Sequence, residues 1–430
     1  MTQPSSLLER YTDLQLSLTD RRGGASVSTG DPFVVQLIQL LFTYGLQIQA
    51  SDIHIEPIST GARIRYRIDG VLHEMLQISD QVRDPLIRAI KTKAGLLSDP
   101  VGRSKPQDGH MDFQIDGKIL DLRLSSFPTL FGDVLALRIF DHDTPRLKLE
   151  QLGISPGLWK PLDQAIHHRN GLLLVTGPTN SGKTTTLYAI LEQLRSPHVK
   201  MVTLEDPVEY QMEGVNQGQI NPQVGLTFAS GLRAILRQDA NIILVGEIRD
   251  KETTEIAIRA ALTGHLVLSS LHTNHACGTI SRLLDMEVEP PLIISAVIGI
   301  LAMRLVRLVC RECAIPDSVG SEIAVRLMAQ AVAHPASASV RASSGGTYQR
   351  GKGCHACGGT GYRGRTAVFE FLRLSDELKQ IILERSSGRL YQTAVSSGMT
   401  TMLLDGLEKC SQGLTTVEEV LRVVGDTSES

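Results

Sequence analysis

The 430-residue sequence predicts an α/β protein: a doubly wound, largely parallel sheet preceded by a smaller α/β domain and carrying a cysteine-bearing subdomain in its C-terminal part. Three observations lead to this. Apolar runs at 172–176, 201–204, 242–245 and 266–270 alternate with helical patterns, as expected of parallel strands covered on both faces. Ahead of them lie short segments of period-two alternation. Two Cys-x-x-Cys pairs, at 310–313 and 354–357, punctuate the remainder.

The elements follow in order. Residues 1–30 are a polar lead, expected to be flexible, and 31–140 form the small domain. Phe33, Leu37, Leu40 and Leu41 fall on one helical face, with Asp31 placed to cap it. Alternation at 53–55, 63–68 and 121–124, with turns at Asp69-Gly70 and Asp116-Gly117, predicts strands. The charged, Pro-containing stretch 141–150 reads as a linker, and 151–430 as the main domain with a tetracysteine element at 310–357. Leu292 to Met303, after Pro290-Pro291, reads as a buried helix, and 334–351 as a Ser/Gly/Ala-rich loop. No internal repeat is present.

Composition narrows the class. Apolar residues make up 42% and charged residues 21%, ordinary for a globular protein. The net charge of −3 does not mark a nucleic-acid binder, and none is expected as partner. Glu9 and Arg10 precede any apolar run, which argues against a signal peptide, and the longest apolar run falls short of the roughly 20 residues a membrane helix needs. A cytosolic location is expected. There six cysteines stay reduced, favouring metal binding over disulfides.

Gly177-Pro178-Thr179-Asn180-Ser181-Gly182-Lys183-Thr184 fits G-x-x-x-x-G-K-[ST] at every fixed position. An apolar strand precedes it and the helix-forming run TTTLYAILEQL follows from Thr184, the strand–loop–helix order of a phosphate loop, with Thr185 also among the expected nucleotide-binding residues. Its N–H groups and the helix N-terminus would bind the phosphates of ATP. Lys183 would meet the β/γ oxygens, and the Thr184 hydroxyl would ligate Mg²⁺. This makes the main domain a P-loop NTPase (RecA-like) fold. Such a loop needs an acid on a neighbouring strand, and Glu247, ending Ile242–Gly246, takes the Walker B place, where most such motifs have Asp. Glu205, in Thr203-Leu204-Glu205-Asp206-Pro207, is the candidate to orient or deprotonate the attacking water; the alternative is a cap or turn acid. His272 follows the strand at 266–270 and either senses the γ-phosphate or is structural.

Cys310, Cys313, Cys354 and Cys357 form two knuckles able to close a four-thiolate Zn²⁺ site, structural because no position stays open. The alternative is free thiols or a redox pair. Cys277 and Cys410 read as core residues.

Together these elements resemble the secretion ATPases of type II secretion and type IV pilus assembly, over about residues 31–426. The resemblance rests on SDIHIEP at 51–57, GPTNSGKTTTLY, TLEDPVEY, RQDANIILVGEIRD, TGHLVLSSLHTN and GYRGRTAVFEFL. The tetracysteine element points to the extension branch. The resemblance implies a homohexamer that hydrolyses ATP to power assembly of a pilus or pseudopilus. It implies that Glu205 activates water, that Glu247 acts through Mg²⁺ and that His272 monitors the γ-phosphate. It further implies that Arg123 and Arg138 contact phosphates, the small domain of one subunit covering the nucleotide of its neighbour. An inner-membrane platform protein and associated assembly proteins are the implied partners, holding the ring peripherally at that membrane. Two departures stand out: His110 follows Pro106-Gln107-Asp108-Gly109 where the family has Arg, and Asp239-Ala240-Asn241 stands for Asp-Pro-Asp. Many members also carry an extra N-terminal domain, for which the 30-residue lead is too short. The readings set against this one are a DNA-uptake or conjugation motor and a nucleotide-dependent scaffold.

Overall fold

The structure, a computed structural model, describes residues 9–14, 28–97, 105–115, 117–141, 147–332 and 346–425. The chain divides into two compact units, Met1–Pro145 and Arg146–Ser430. Most of the expected lead and of the loop at 334–351, and residues 142–146 of the expected linker, lie outside the described residues.

In the first unit, helix α1 (Pro32–Gln47) starts where Asp31 accepts from the Phe33 N–H at 2.9 Å, with Pro32 in the first turn. It buries Phe33, Val34, Leu37, Ile38, Leu41 and Phe42. Strands β1 (Asp52–Ile58), β2 (Gly61–Ile68) and β3 (Val71–Ser79) precede helix α2 (Asp80–Lys93), and β4 (Gln107–Ile115), β5 (Lys118–Thr129) and β6 (Gly132–Asp141) follow it. They make one six-stranded sheet, order β3-β2-β1-β6-β5-β4, antiparallel throughout. Asp69 and Gly70, at φ +48° and +85°, give the β2–β3 hairpin a turn whose twist matches its strands. Alternation sends Ile53, Ile55, Ile64, Leu122 and Leu137 into the core and leaves the polar face of β4–β6 open.

The second unit opens with α3 (Pro156–Ile166), β7 (Gly171–Thr176) and α4 (Lys183–Leu194). Next come β8 (Met201–Glu205), β9 (Val215–Gln219), α5 (Phe228–Ile235), β10 (Ile242–Val245), α6 (Lys251–Leu262) and β11 (Leu266–Leu271). The seven-stranded sheet runs β15-β12-β7-β11-β10-β8-β9, where β12 is Val297–Val309 and β15 is Tyr362–Leu372. All neighbours are parallel except β12–β15. Every residue of β7 is buried: Leu172 and Leu174 face one core with α5 and α6, Leu173 and Val175 the other with α3 and α4. That two-sided burial explains why the run is apolar at every position.

Two expectations change. The apolar run 292–303 is not one helix: the helix Pro290–Ala296 ends after seven residues and the chain becomes β12. A strand inserted between two others is apolar on both faces, so it lacks the period that would separate it from a buried helix. The acid-bearing β10 is also not the neighbour of β7, because β11 lies between them. Glu205 ends β8, three strands or about 14 Å across the sheet from β7.

Candidate active site and cysteine cluster

Residues 177–182 turn from the buried end of β7 into α4, with Pro178, Thr179, Asn180, Thr184 and Thr185 exposed. Gly182 caps the helix at φ +96°, a conformation costly for any residue with a Cβ. At Gly177 a Cβ would lie 2.6 Å from the Met303 carbonyl oxygen of β12 and 2.4 Å from Ser181 Oγ, so the packing also requires glycine. The buried Ser181 hydroxyl has no partner among the described residues.

Lys183 Nζ donates to the Gly177 and Pro178 carbonyls, both at 2.8 Å. Burial lowers its pKa to about 8, the Glu247 charge opposing that and Arg304 adding to it. His272 stands between Lys183 and Glu247: its Nδ1 is 3.5 Å from Lys183 Nζ and its Nε2 is 3.3 Å from Glu247 Oε2. One neutral tautomer serves both contacts, with Nδ1 accepting and Nε2–H donating. Arg249 Nη2 donates to Glu247 Oε1 at 2.5 Å. Burial alone would raise the Glu247 carboxyl, but Arg249 and then His272 outweigh it and hold the group below its ordinary range.

The backbone under these side chains is tied strand to strand. The Thr176 hydroxyl, at the end of β7, bonds the Thr273 hydroxyl at 2.6 Å and receives the Thr273 N–H at 3.1 Å. Ser269 and Ser270 Oγ donate to the Val245 and Gly246 carbonyls, each at 2.7 Å. Lys183, Glu247 and His272 are thereby fixed at the carboxyl ends of the strands, although β7 is far in the chain from β10 and β11.

Glu205 has different surroundings. Its side chain is buried, with Oε2 taking the Tyr188 hydroxyl and Oε1 taking Thr203 Oγ1 at 2.5 Å and Gln217 Nε2 at 3.4 Å. Sequence reasoning missed Tyr188, Gln217 and Arg304. The signal for Arg304 was a charge at the end of an apolar run; it is buried and donates to the Asn274 carbonyl at 2.9 Å, beside His272.

In the first unit, register sets His110 opposite Arg123, Arg123 opposite Arg138, Arg138 opposite Asp52 and Asp52 opposite Arg67. These five form one row across the open face. Asp52 holds Arg138 Nε at 3.1 Å and Arg67 Nε at 3.4 Å, and His110 Nε2 lies 2.9 Å from Asp121 Oδ1. The histidine that departs from the resembled family thus stands in the same row as both candidate arginines.

The four cysteines converge. Their sulfurs lie within 4.8 Å of one another, with Cys310–Cys354 at 3.8 Å, Cys313–Cys357 at 3.9 Å and Cys354–Cys357 at 3.7 Å. Four thiolates around Zn²⁺ at a bond length of about 2.3 Å have tetrahedral edges of about 3.8 Å, so the set fits the ion. Cys354 and Gly361 N–H groups donate to Cys357 Sγ, both at 3.2 Å. Strands β13 (Ala314–Pro316) and β14 (Gln349–Gly351), paired antiparallel, bring the two knuckles together despite their wide spacing. Cys277 and Cys410 are core residues.

The Type II/IV secretion system protein family matches residues 27–422. Type II secretion system protein E of Dickeya dadantii is 44% identical over 393 residues, covering 91% of this chain and 76% of that protein. Type II secretion system ATPase E of Vibrio cholerae is 40% identical over 400 residues, covering 93% and 77%. Among solved structures, the pilus retraction motor PilT with bound ADP aligns at a TM-score of 0.58 and 25% identity, covering 90% of this chain and 96% of that one. The ATPase DotB of Legionella pneumophila aligns at 0.64 and 22%, covering 90% and 94%, a likeness of fold. With this fold and phosphate loop, the chain belongs to the Type II/IV secretion system protein family and is an ATP-hydrolysing enzyme of secretion or pilus assembly.

Proposed function

We propose that the chain is the cytoplasmic motor of a type II secretion system, working as a homohexamer on an inner-membrane platform protein. The convergence of Lys183, His272 and Glu247 beside residues 177–182 carries this reading. The type II secretion relatives at 40–44% identity favour that system over a pilus.

ATP is the substrate. The N–H groups of 177–184 and the Lys183 ammonium hold its phosphates and neutralise charge that grows on the γ-oxygens as the bond to the leaving oxygen breaks. The phosphate loop suits a triphosphate: Gly182 takes a left-handed backbone at the N-terminus of α4, and the buried Ser181 hydroxyl has no partner among the described residues. Thr184 and Glu247 are the residues that would hold Mg²⁺, which would supply charge neutralisation at the phosphates. His272, held between Lys183 and Glu247 in the nucleotide-free protein, monitors the γ-phosphate by turning its Nε2–H from Glu247 to a γ-oxygen. Glu205 orients and deprotonates the attacking water, and Arg123 and Arg138 of a neighbouring subunit complete the site. Cys310, Cys313, Cys354 and Cys357 hold a structural Zn²⁺.

None of the described helices is long and apolar enough to cross a membrane, in keeping with peripheral attachment through partners. The test is Lys183→Ala in the assembled protein. Turnover is expected to fall by at least roughly 100-fold; wild-type turnover in a folded variant would refute the site.

A further inference from the structure

Glu205 is buried among hydrogen-bond donors. Its carboxylate is 3% exposed and takes three donors, from Tyr188, Thr203 and Gln217. The Tyr188 contact is the most constrained. Tyr188 is 1% exposed and its ring packs edge-on against Tyr210, with centroids 4.7 Å apart at 82°. Its oxygen accepts from the Glu209 N–H at 3.3 Å and from Gln217 Nε2 at 3.5 Å. Gln217 Nε2 also lies 3.1 Å from the Tyr210 carbonyl, its shortest contact, so it is shared among three acceptors, whereas the phenolic O–H is donated to Glu205 alone. Burial, and after it the hydrogen bond to Glu205, raise the Tyr188 phenol far above its ordinary range, so the proton stays on the tyrosine.

The placement of Tyr188 makes this more than a buried hydrogen bond. It lies on α4, five residues after Lys183, so it moves with the helix that carries the phosphate loop. Its other partners, Glu209, Tyr210 and Gln217, lie on the segment that leaves Glu205.

We propose that Tyr188 is a positioning residue that latches the Glu205 carboxylate away from the attacking water, and that Glu205 becomes a base only when this hydrogen bond is given up. This rests on Glu205 being the base. When the latch opens, Glu205 exchanges the Tyr188 O–H for a water O–H, accepts that proton as the water oxygen attacks phosphorus, and the bond to the ADP oxygen breaks. Tyr188 keeps its own proton throughout.

Four full-length variants test it by steady-state ATP turnover and thermal melting: Tyr188→Phe, Thr203→Val, Glu205→Gln and the Tyr188→Phe/Glu205→Gln double. Phenylalanine keeps the packing against Tyr210 and removes the hydroxyl, both the donor to Glu205 and the acceptor of the Glu209 N–H. The expected result is a basal kcat raised roughly 3- to 10-fold at unchanged KM. Thr203→Val, which removes a second donor of the same carboxylate, should shift kcat the same way by less. Both Glu205→Gln proteins should be inactive. A folded Tyr188→Phe protein with kcat unchanged or lowered overturns the latch; if Glu205→Gln is still inactive, the base assignment survives. Wild-type turnover in Glu205→Gln removes the base assignment, and a Tyr188→Phe gain that persists in the double variant shows that the tyrosine does not act through Glu205. If Tyr188→Phe does not fold, an unraised kcat in Thr203→Val overturns the proposal.

Discussion

Lys183 sits among groups that pull its protonation in opposite directions. Burial brings its pKa to about 8, while Glu247 works to keep it charged. A triphosphate delivers several negative charges to the same ammonium and raises the value again. The sign follows: above pH 8 the ligand-free lysine is largely neutral, so nucleotide binding takes up a proton and affinity falls as pH rises through that value. Calorimetry of ADP or ATP binding from pH 7 to 9.5, in buffers of different ionisation enthalpy, should show proton uptake growing above pH 8. Constant affinity and no uptake would mean that Lys183 is not the group meeting the phosphates. His272 is open to a similar test. Because its imidazole bridges Lys183 and Glu247, His272→Ala removes a contact to each, with an expected loss of about tenfold or more in kcat and a smaller change in KM.

Elements differ in how plainly the sequence announces them. The four buried runs are strands β7, β8, β10 and β11, and the phosphate loop joins β7 to α4, because apolar length and glycine spacing are local properties. Sheet order is not local. Nothing in the sequence of β11 says that it lies between β7 and β10, and the same blindness hides the row from His110 to Arg67, whose members come from five strands. Tyr188 was hidden for a related reason: on sequence it is one more apolar position of α4, and its hydroxyl acquires meaning only when β8 arrives beside it. Lining up His110 with Arg123 and Arg138 gives a prediction at this scale. His110→Arg adds a guanidinium to the row next to Arg123, with Asp121 already placed to orient it. ATP turnover of the assembled protein should rise, by several-fold at low ATP; no change would mean that position 110 does not meet phosphate. The cysteine element makes its own prediction. Purified reduced protein should hold close to one zinc per chain, and Cys357→Ser, which removes the sulfur that two backbone N–H groups approach, should lose most of it and melt at a lower temperature.

The whole molecule raises a question neither unit answers by itself. The second unit holds a phosphate loop, an acid pair and a histidine but, in its own described contacts at that site, no arginine aimed at the γ-phosphate: Arg249 is engaged by Glu247, and Arg304 by the Asn274 carbonyl. The first unit holds Arg123 and Arg138 side by side on an open face, Arg138 turned by Asp52. If these side chains serve a neighbouring subunit's nucleotide, two defects that each silence the protein should compensate when mixed. A Lys183→Ala chain cannot hold phosphate but still presents its arginines; an Arg123→Ala/Arg138→Ala chain has an intact phosphate loop and lacks the arginines. In a mixed ring, each intact loop that faces an intact row regains a complete site. Co-assembled at equal amounts, the two variants should recover about a quarter of wild-type turnover, since one subunit pair in four then joins an intact loop to an intact row. Recovery requires assembly, so it should vanish at concentrations where the ring dissociates. No recovery in a ring verified by mass, with each variant folded, would place the arginines on their own subunit's nucleotide or outside catalysis.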